Sequence, residues 1–224
     1  MILEVSAVGG SWKGQRLGAF LWIAVLVIFV MSVIAHEVAH GWVALQCGDP
    51  TALKAGRLTF NPLAHIDPVR TIILPIVLFF TVGIIFGGAK PVPVNPFNFR
   101  NPKRDNILVS LAGVTTNFLI AIVLALLVRT LLVTQVFTTT SVGTQALEYG
   151  VVINLLLAFF NLLPVPPLDG SHVLAAVLPP RAAAAYQSLR ETGFIILMIL
   201  IMFTPLFGVL WTVIAYSTRV LVGH

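Results

Sequence analysis

Long uncharged runs alternate with short polar connections along this chain. Runs without Asp, Glu, Lys or Arg lie at residues 17–35, 71–89, 106–128, 149–168 and 192–218. A helix needs about 20 apolar residues to cross about 30 Å of hydrocarbon. Several runs reach that length, so the pattern predicts helices that span a membrane.

Turn residues and prolines set the boundaries of the predicted elements. We predict helices at 17–46, 106–132 and 144–163, a short helix at 171–178 and a last span at 189–220. Pro205 kinks the last span. Residues 51–68 combine short alternation with turn residues, which indicates a small β or loop element. Residues 91–96 are too rich in proline for a helix or a central strand, so we predict an extended segment there.

Composition supports a membrane protein. Of 224 residues 58% are hydrophobic and 9% are charged, and the mean hydropathy is +1.00. An ordinary soluble domain carries roughly 25% charged residues. The first run is longer than the apolar core of a signal peptide and leads into His36 without a small-residue cleavage site, so we interpret it as a mature span.

Charge and cysteine content exclude two further classes of site. The formal net charge is +5, but the basic residues are scattered over short loops without a basic helix or an aromatic-interleaved patch. No nucleic-acid partner is therefore predicted. The single cysteine, Cys47, excludes an intramolecular disulfide and a CxxC metal site. A metal in this chain must use His and carboxylate ligands.

A metal-ligand motif lies near the end of the first predicted helix. Residues 36–40 read HEVAH, and the i, i+4 spacing places His36 and His40 on one helical face where both can bind one zinc ion. Glu37 then lies beside the metal and can take a proton from water. The motif alone is weak, but ionisable residues within a membrane span are costly and by default functional.

A catalytic zinc site usually has three protein ligands and an open position for water. Asp49, Glu148 and Glu191 lie in connections that look solvated. Asp169 instead follows an uncharged run, and the prolines within 164–167 end the preceding helix and force an extended turn. Asp169 is therefore the candidate third ligand, with capping of the next helix as its alternative role.

Three motifs together resemble the site-2 protease family of intramembrane metalloproteases. They are HEVAH at 36–40, AGVTTN at 112–117 and NLLPVPPLDG at 161–170. The resemblance covers about residues 17–178. Val114 stands where the family usually has a proline; this difference leaves the local loop shape open and removes no catalytic group.

The resemblance implies roles for individual residues. The implied ligands of one zinc ion are His36, His40 and Asp169. Glu37 is implied as the catalytic acid/base. Asn117 and Asn161 are implied to help shape the site. The resemblance also implies a transmembrane protein as substrate, such as a signalling protein or a remnant signal peptide.

We predict a single membrane-embedded metalloprotease domain over residues 1–224. Its catalytic core lies at about 17–178 and its C-terminal helix at about 189–220. We expect a minimal form without PDZ or CBS modules, in contact with the lipid bilayer. The sequence specifies no oligomeric state, gate or trigger.

Zinc geometry constrains the predicted topology. His36, His40 and Asp169 must meet at one membrane depth, so the chain between them must cross the membrane an even number of times. Three uncharged runs lie between them, and residues 71–89, interrupted by proline and glycines, are the natural re-entrant segment. The predicted fold class is an all-α polytopic membrane protein with about four transmembrane helices, a re-entrant segment and short β or extended loop elements.

This topology gathers most basic residues on one side of the membrane. They are Lys54, Arg57, Arg70, Lys90, Arg100, Lys103, Arg104, Arg181 and Arg190. The positive-inside rule makes that side cytoplasmic. We therefore expect a multi-pass protein of a prokaryotic inner membrane with its active site toward the cytoplasm.

Several roles stay open on the sequence alone. Asn117 or Asn161 can donate a hydrogen bond to the developing oxyanion, or can bridge helices. The pieces at 58–60 and 92–94 can offer a strand edge to an extended substrate, or can act as a plug. A membrane zinc transporter or scaffold is the rival function. It is disfavoured because the polar residues gather at one depth and Glu37 has no obvious role in transport.

Three further polar residues have two readings each. His65 and Asp67 are interpreted as loop-ordering groups, with a gating role as the alternative. His172 follows Asp169 by three residues and either orients that carboxylate or lies on the helix surface.

Overall fold

The computed structural model of the protein describes residues 12–73, 76–77, 80, 88–190 and 192–223. Its α-helices are α1 (Trp12–Gln46), α2 (Thr51–Lys54), α3 (Pro102–Val133), α4 (Val142–Asn161), α5 (Asp169–Val177), α6 (Pro180–Gln187), α7 (Gly193–Phe203) and α8 (Leu206–Val222). Short 3-10 turns lie at Pro62–His65, Pro96–Asn98 and Ser188–Arg190, and a π-helical turn lies at Pro68–Ile73.

Three long helices form the centre of the bundle. α1, α3 and α4 pack against one another, and α8 packs against α3 and α4. The shared core contains small side chains such as Ala121 and Ala125 beside Val151, Leu155 and Ile214, all of them buried. Small residues let helix backbones approach closely in a membrane, where packing rather than water exclusion drives association.

The predicted class of an all-helical, multi-pass membrane protein is confirmed. Within the described residues, three helices are individually long and apolar enough to span a membrane, at Gly18–Gln46, Pro102–Val133 and Val142–Asn161. A bent pair, Pro180–Arg190 with Ile195–Phe203, raises the number of spans to four at most.

The last predicted span, at 189–220, is two helices rather than one kinked helix. α7 ends before Thr204, whose backbone is extended, and α8 begins after Pro205. A proline has no N–H for the helical ladder and its ring clashes with the preceding turn, which explains a break where the sequence predicted only a kink.

The start of α7 and the end of α8 lie at opposite ends of the bundle. A β-carbon on Gly193 would lie 2.1 Å from the Pro166 carbonyl oxygen, so α7 begins against the loop that follows α4. The Arg129 guanidinium of α3 donates to the carbonyl oxygens of Val220 (2.6 Å) and Val222 (3.2 Å). α7 and α8 together therefore run from the Asp169 end of the bundle to the far end of α3.

The β alternative of the predicted β or loop element at 51–68 is not confirmed, because no residue that the structure describes forms a strand. Residues 51–68 contain α2 and two helical turns instead. Residues 90–95, hereafter the strap, lack helical structure, as predicted for 91–96, although Pro96 already begins a 3-10 turn. Two N–H groups of the strap donate to carboxylates: Glu37 accepts from Val92 (2.9 Å) and Asp49 accepts from Asn95 (2.7 Å).

Most of the predicted re-entrant segment, 71–89, lies outside the described residues. Its two ends are described, and they meet. The Thr71 hydroxyl donates to the Gly88 carbonyl oxygen at 2.8 Å, and the Lys90 N–H donates to the His65 carbonyl oxygen at 2.8 Å. The two ends of the segment therefore lie side by side, as a re-entrant segment requires. The re-entrant course itself stays a prediction.

Candidate active site

Three side chains from two distant parts of the chain converge inside the helix bundle. The Nε2 atoms of His36 and His40 are 3.0 Å apart, and the Oδ2 atom of Asp169 lies 3.1 Å from the first and 3.3 Å from the second. The two histidines are buried, and they share one face of α1 because they are four residues apart. The structure thus brings together the three ligands predicted from the sequence.

Hydrogen bonds on the far side of each ring fix the protonation of both imidazoles. The Nδ1–H of His40 donates to the Val109 carbonyl oxygen at 2.7 Å, and that oxygen can only accept. The Nδ1 of His36 lies 2.6 Å from the amide oxygen of Asn117. A neutral imidazole that donates from Nδ1 carries a lone pair on Nε2, which is the form that binds a metal.

The donor set fits a zinc ion. Tetrahedral bonds of about 2.0 to 2.1 Å place ligand atoms about 3.3 Å apart, close to the three separations found here. Asp169 Oδ2 is buried without a hydrogen-bond donor, and it faces two nitrogen lone pairs. Three electron-rich atoms at this spacing repel one another unless a cation lies among them. Two histidines and one carboxylate leave a fourth position open, as in catalytic zinc sites.

The local backbone explains why Asp169 reaches the histidines. The chain turns at Pro164 and Pro166 after α4, and α5 begins at Asp169. The alternative capping role of Asp169 is not observed, because Leu168 occupies the N-cap position. A β-carbon on Gly170 would lie 2.1 Å from the Leu162 carbonyl oxygen, so only glycine permits this close return of the chain.

A buried amide network supports the first imidazole. Asn117 on α3 accepts from His36 through its oxygen, and its NH₂ group donates to the Asn154 side-chain oxygen (2.9 Å) and the Ser32 carbonyl oxygen (3.4 Å). Asn154 on α4 donates in turn to the Ser32 hydroxyl at 2.8 Å. α1, α3 and α4 are thereby tied together at the depth of the histidines.

Two members of this network were not predicted from the sequence. Neither residue belongs to a motif: Ser32 lies on α1 one turn before His36, and Asn154 lies on α4 at the depth of His36. A polar residue within an uncharged run was the available signal, because such residues inside a membrane usually face the bundle. Asn161 lies outside the network, since its amide donates to the Leu157 carbonyl oxygen of its own helix at 2.9 Å.

Glu37 lies beside the triad and contacts the strap. Its Oε2 atom accepts the Val92 N–H at 2.9 Å. Val92 is buried, and a β-carbon on Gly41 would lie 2.9 Å from its Cγ1 atom, so the strap packs directly on α1 one turn after Glu37.

His65 and Asp67 have the contacts expected of loop-ordering groups. His65 is buried, its Nε2–H donates to the Thr59 carbonyl oxygen at 2.9 Å, and its Nδ1 lies 3.4 Å from an Arg57 nitrogen. The Asp67 carboxylate accepts the Val69 N–H at 2.9 Å. Neither contact involves the triad.

His172 lines a cavity of about 190 Å³ with Tyr186 and Arg190 beside the Asp169 turn. Burial, and then the positive charge of Arg190, lower the pKa of His172, so its imidazole is neutral at neutral pH. The structure records no hydrogen bond between His172 and Asp169 within the part of the chain that it describes.

Comparison with known proteins identifies relatives of this chain. A sequence model of peptidase family M50 matches residues 24–204. YwhC of Bacillus subtilis, named as a zinc metalloprotease, is 37% identical over 190 residues, which cover 83% of each chain. Rip2 of Mycolicibacterium smegmatis, also named as a zinc metalloprotease, is 32% identical over 215 residues, covering 92% of this chain and 79% of Rip2. No solved structure gives a significant match.

Proposed function

This chain belongs to peptidase family M50, the site-2 protease family of zinc metalloproteases, and on that premise we propose that it cleaves membrane proteins. The proposed reaction is endopeptidase hydrolysis of a peptide bond within or near a transmembrane segment, in regulated intramembrane proteolysis. One observation carries the proposal: a two-histidine, one-aspartate triangle at a single depth among membrane-spanning helices, with Glu37 beside it.

Each residue of the site has a distinct task in this proposal. His36, His40 and Asp169 hold the ion, and Glu37 accepts a proton from the attacking water and returns it to the leaving amine. When bound, zinc supplies a Lewis acid that polarises a carbonyl and makes water acidic enough to ionise near neutral pH. The tertiary fold excludes bulk water from the histidines, both of which are buried.

We assign Asn117 a positioning role rather than an oxyanion role. Both N–H groups of its amide are engaged by Asn154 and Ser32, and its oxygen is engaged by His36. No N–H remains to donate to a substrate. Within the part of the chain that the structure describes, the recorded hydrogen bond of the Asn161 side chain goes to its own helix, so we assign it no part in the reaction.

The proposal includes a class of substrate and a membrane setting. A transmembrane helix hides each carbonyl in an i to i+4 hydrogen bond, so the scissile segment must unwind before it reaches the triad. The proposed setting is a prokaryotic inner membrane, with the site toward the cytoplasm, where the loops at both ends of the strap carry basic residues.

The decisive experiment uses purified protein and a transmembrane peptide. Glu37→Gln removes the proton acceptor and leaves the three ligands in place, so we expect retained zinc and at least a 100-fold loss of cleavage, the lower range for general-base catalysis. Zinc content is measured by mass spectrometry and cleavage by peptide analysis. Undiminished cleavage by the variant would show that Glu37 is not the base or that the activity is a contaminant.

A further inference from the structure

The strap is held at both ends by buried charged side chains. At its start, Arg57 donates to the Lys90 carbonyl oxygen. At its end, Asp49 accepts the Asn95 N–H at 2.7 Å. Arg57 is 6% exposed and Asp49 is fully buried. A buried charged side chain is costly unless it is hydrogen-bonded. The hydrogen bonds of Arg57 and Asp49 therefore hold the two ends of the strap in place.

Among the described residues, the middle of the strap makes one recorded hydrogen bond, and it goes to Glu37. Its sequence from 91 to 94 is Pro-Val-Pro-Val, and prolines have no N–H, so Val92 and Val94 carry the amide hydrogens of this stretch. The Val92 N–H donates to Glu37 Oε2 at 2.9 Å. The Val92 side chain packs over Gly41, on the same face of α1 as Glu37.

The contact limits the freedom of the carboxylate. Glu37 is partly exposed, and a glutamate side chain has several rotamers that point its oxygens in different directions. With Oε2 held by a backbone N–H, the Oε1 atom is the one left to face water at the triad. A backbone donor clamped at two points is more rigid than a side-chain donor, which favours a single carboxylate orientation.

We propose that the strap positions the general base: the Val92 N–H orients Glu37, and Arg57 and Asp49 hold the strap in register. This inference rests on the proposed proteolytic function for its kinetic consequence, and on the contact alone for its structural part. A plug that must leave before catalysis is the opposite arrangement, and it predicts a rate change of opposite sign.

The kinetic test uses two proline substitutions in one short motif. Val92→Pro deletes the N–H that binds Glu37 and suits an extended backbone. Val94→Pro is the matched control, because the Val94 N–H makes no hydrogen bond that the structure records among the described residues. Each variant also loses one packed valine side chain, since Val92 packs over Gly41 and Val94 packs against a buried cluster that includes Phe99. We expect Val92→Pro to lower kcat roughly 10- to 100-fold with KM and zinc content unchanged, and Val94→Pro to resemble the wild type. Equal losses in both variants, or a higher kcat in Val92→Pro, overturn the proposal.

The structural test does not depend on cleavage. Amide hydrogen exchange is followed by mass spectrometry in a fragment containing the strap, whose prolines leave few exchanging positions. We expect protection at Val92 in the wild type and its loss in Glu37→Ala, with zinc loading held constant. Unchanged protection in Glu37→Ala shows that the contact does not form, even if the enzyme cleaves. A protected strap in a protein without peptidase activity instead refutes the proposed function and leaves the contact standing.

Discussion

Gly113 of α3 lies directly against the two imidazoles. A β-carbon at this position would lie 2.5 Å from His36 Cε1 and 2.5 Å from His40 Nε2, well inside contact distance. Both rings are fixed by hydrogen bonds on their far sides and cannot withdraw freely. Gly113, the second residue of the motif AGVTTN at 112–117, therefore leaves room for the ligand nitrogens.

Substituting this glycine provides a test of the metal site that does not alter a ligand. We expect Gly113→Ala to lose most bound zinc and with it cleavage, because the methyl group displaces both rings. Gly208→Ala on α8 is the control, since nothing lies within 4 Å of its added β-carbon. Metal content per protein is the measurement, and full zinc occupancy in Gly113→Ala contradicts the packing argument.

The two asparagines that the sequence treated alike differ in contacts. Asn117 holds the His36 ring, whereas Asn161 bonds within its own helix. Residues that orient metal-bound histidines typically contribute 10- to 100-fold in metal affinity. We expect Asn117→Ala to weaken zinc affinity by about that factor and Asn161→Ala to leave it unchanged, measured by competition with a chelator. A loss of kcat in Asn117→Ala without a change in zinc affinity would instead indicate contact with the substrate.

At the residue scale, the sequence predicts those functional side chains whose role follows from their spacing along the chain. The two histidines at i and i+4 and the aspartate after a proline-rich turn are of this kind, and the structure places all three together. Asn154 is not predicted because its role depends on which residues of adjacent helices share a depth. Ser32 lies on α1 itself, four residues before His36, but belongs to no motif. Gly113 has no side chain at all, so only the distance between helices reveals its function.

At the scale of elements, polar loops were harder to predict than helices. Long apolar periodicity located α1, α3 and α4 to within a few residues, since a membrane requires every backbone group in the span to be satisfied internally. Asp49 looked solvated in the sequence, yet it is fully buried and accepts hydrogen bonds from Thr51, Asn95 and Asn98. Turn residues usually indicate a solvent-exposed loop, whereas here the turn that contains Asp49 covers the end of α1.

Asp49 gives this loop a predictable response to acid. Burial raises its pKa, but hydrogen bonds from Thr51, Asn95 and Asn98 outweigh burial and lower it. A carboxyl whose pKa is lower in the folded than in the unfolded chain, where it is about 3.9, stabilises the fold above that pH. The contribution is lost as pH falls through the folded pKa.

The matched variant for this effect is Asp49→Asn, which keeps the size and removes the charge. We expect it to lower the Tm at neutral pH, because hydrogen bonds to a charged acceptor are worth about 1.5 to 3 kcal/mol. The difference in Tm from the wild type should shrink below about pH 4. Thermal unfolding in detergent across this range is the measurement, and a difference that stays constant in acid contradicts the assignment.

At the scale of the whole molecule, contacts between loops set the topology more firmly than charge counting. The Arg100 N–H donates to the Cys47 carbonyl oxygen at 3.1 Å, so the end of α1 and the start of α3 lie side by side. The segment between them therefore makes no net crossing, whatever its course at 74–87. The sequence analysis predicts the same even number of crossings, because the zinc ligands must share one depth. It does not specify the path of that segment.

The sidedness of the site can be measured by cysteine labelling. Cys47 is the single cysteine and is buried, so a Cys47→Ala background removes it with little loss of packing. Cysteines are introduced at the exposed positions Lys54, Arg100 and Thr139, the last in the loop between α3 and α4 at the far end of the bundle. We expect an impermeant maleimide to label Lys54→Cys and Arg100→Cys only in inverted vesicles and Thr139→Cys in intact cells, because basic loops stay cytoplasmic. Labelling of positions 54 and 100 from opposite sides would contradict the fold. Labelling of both from outside would retain the fold and place proteolysis on the other face of the membrane.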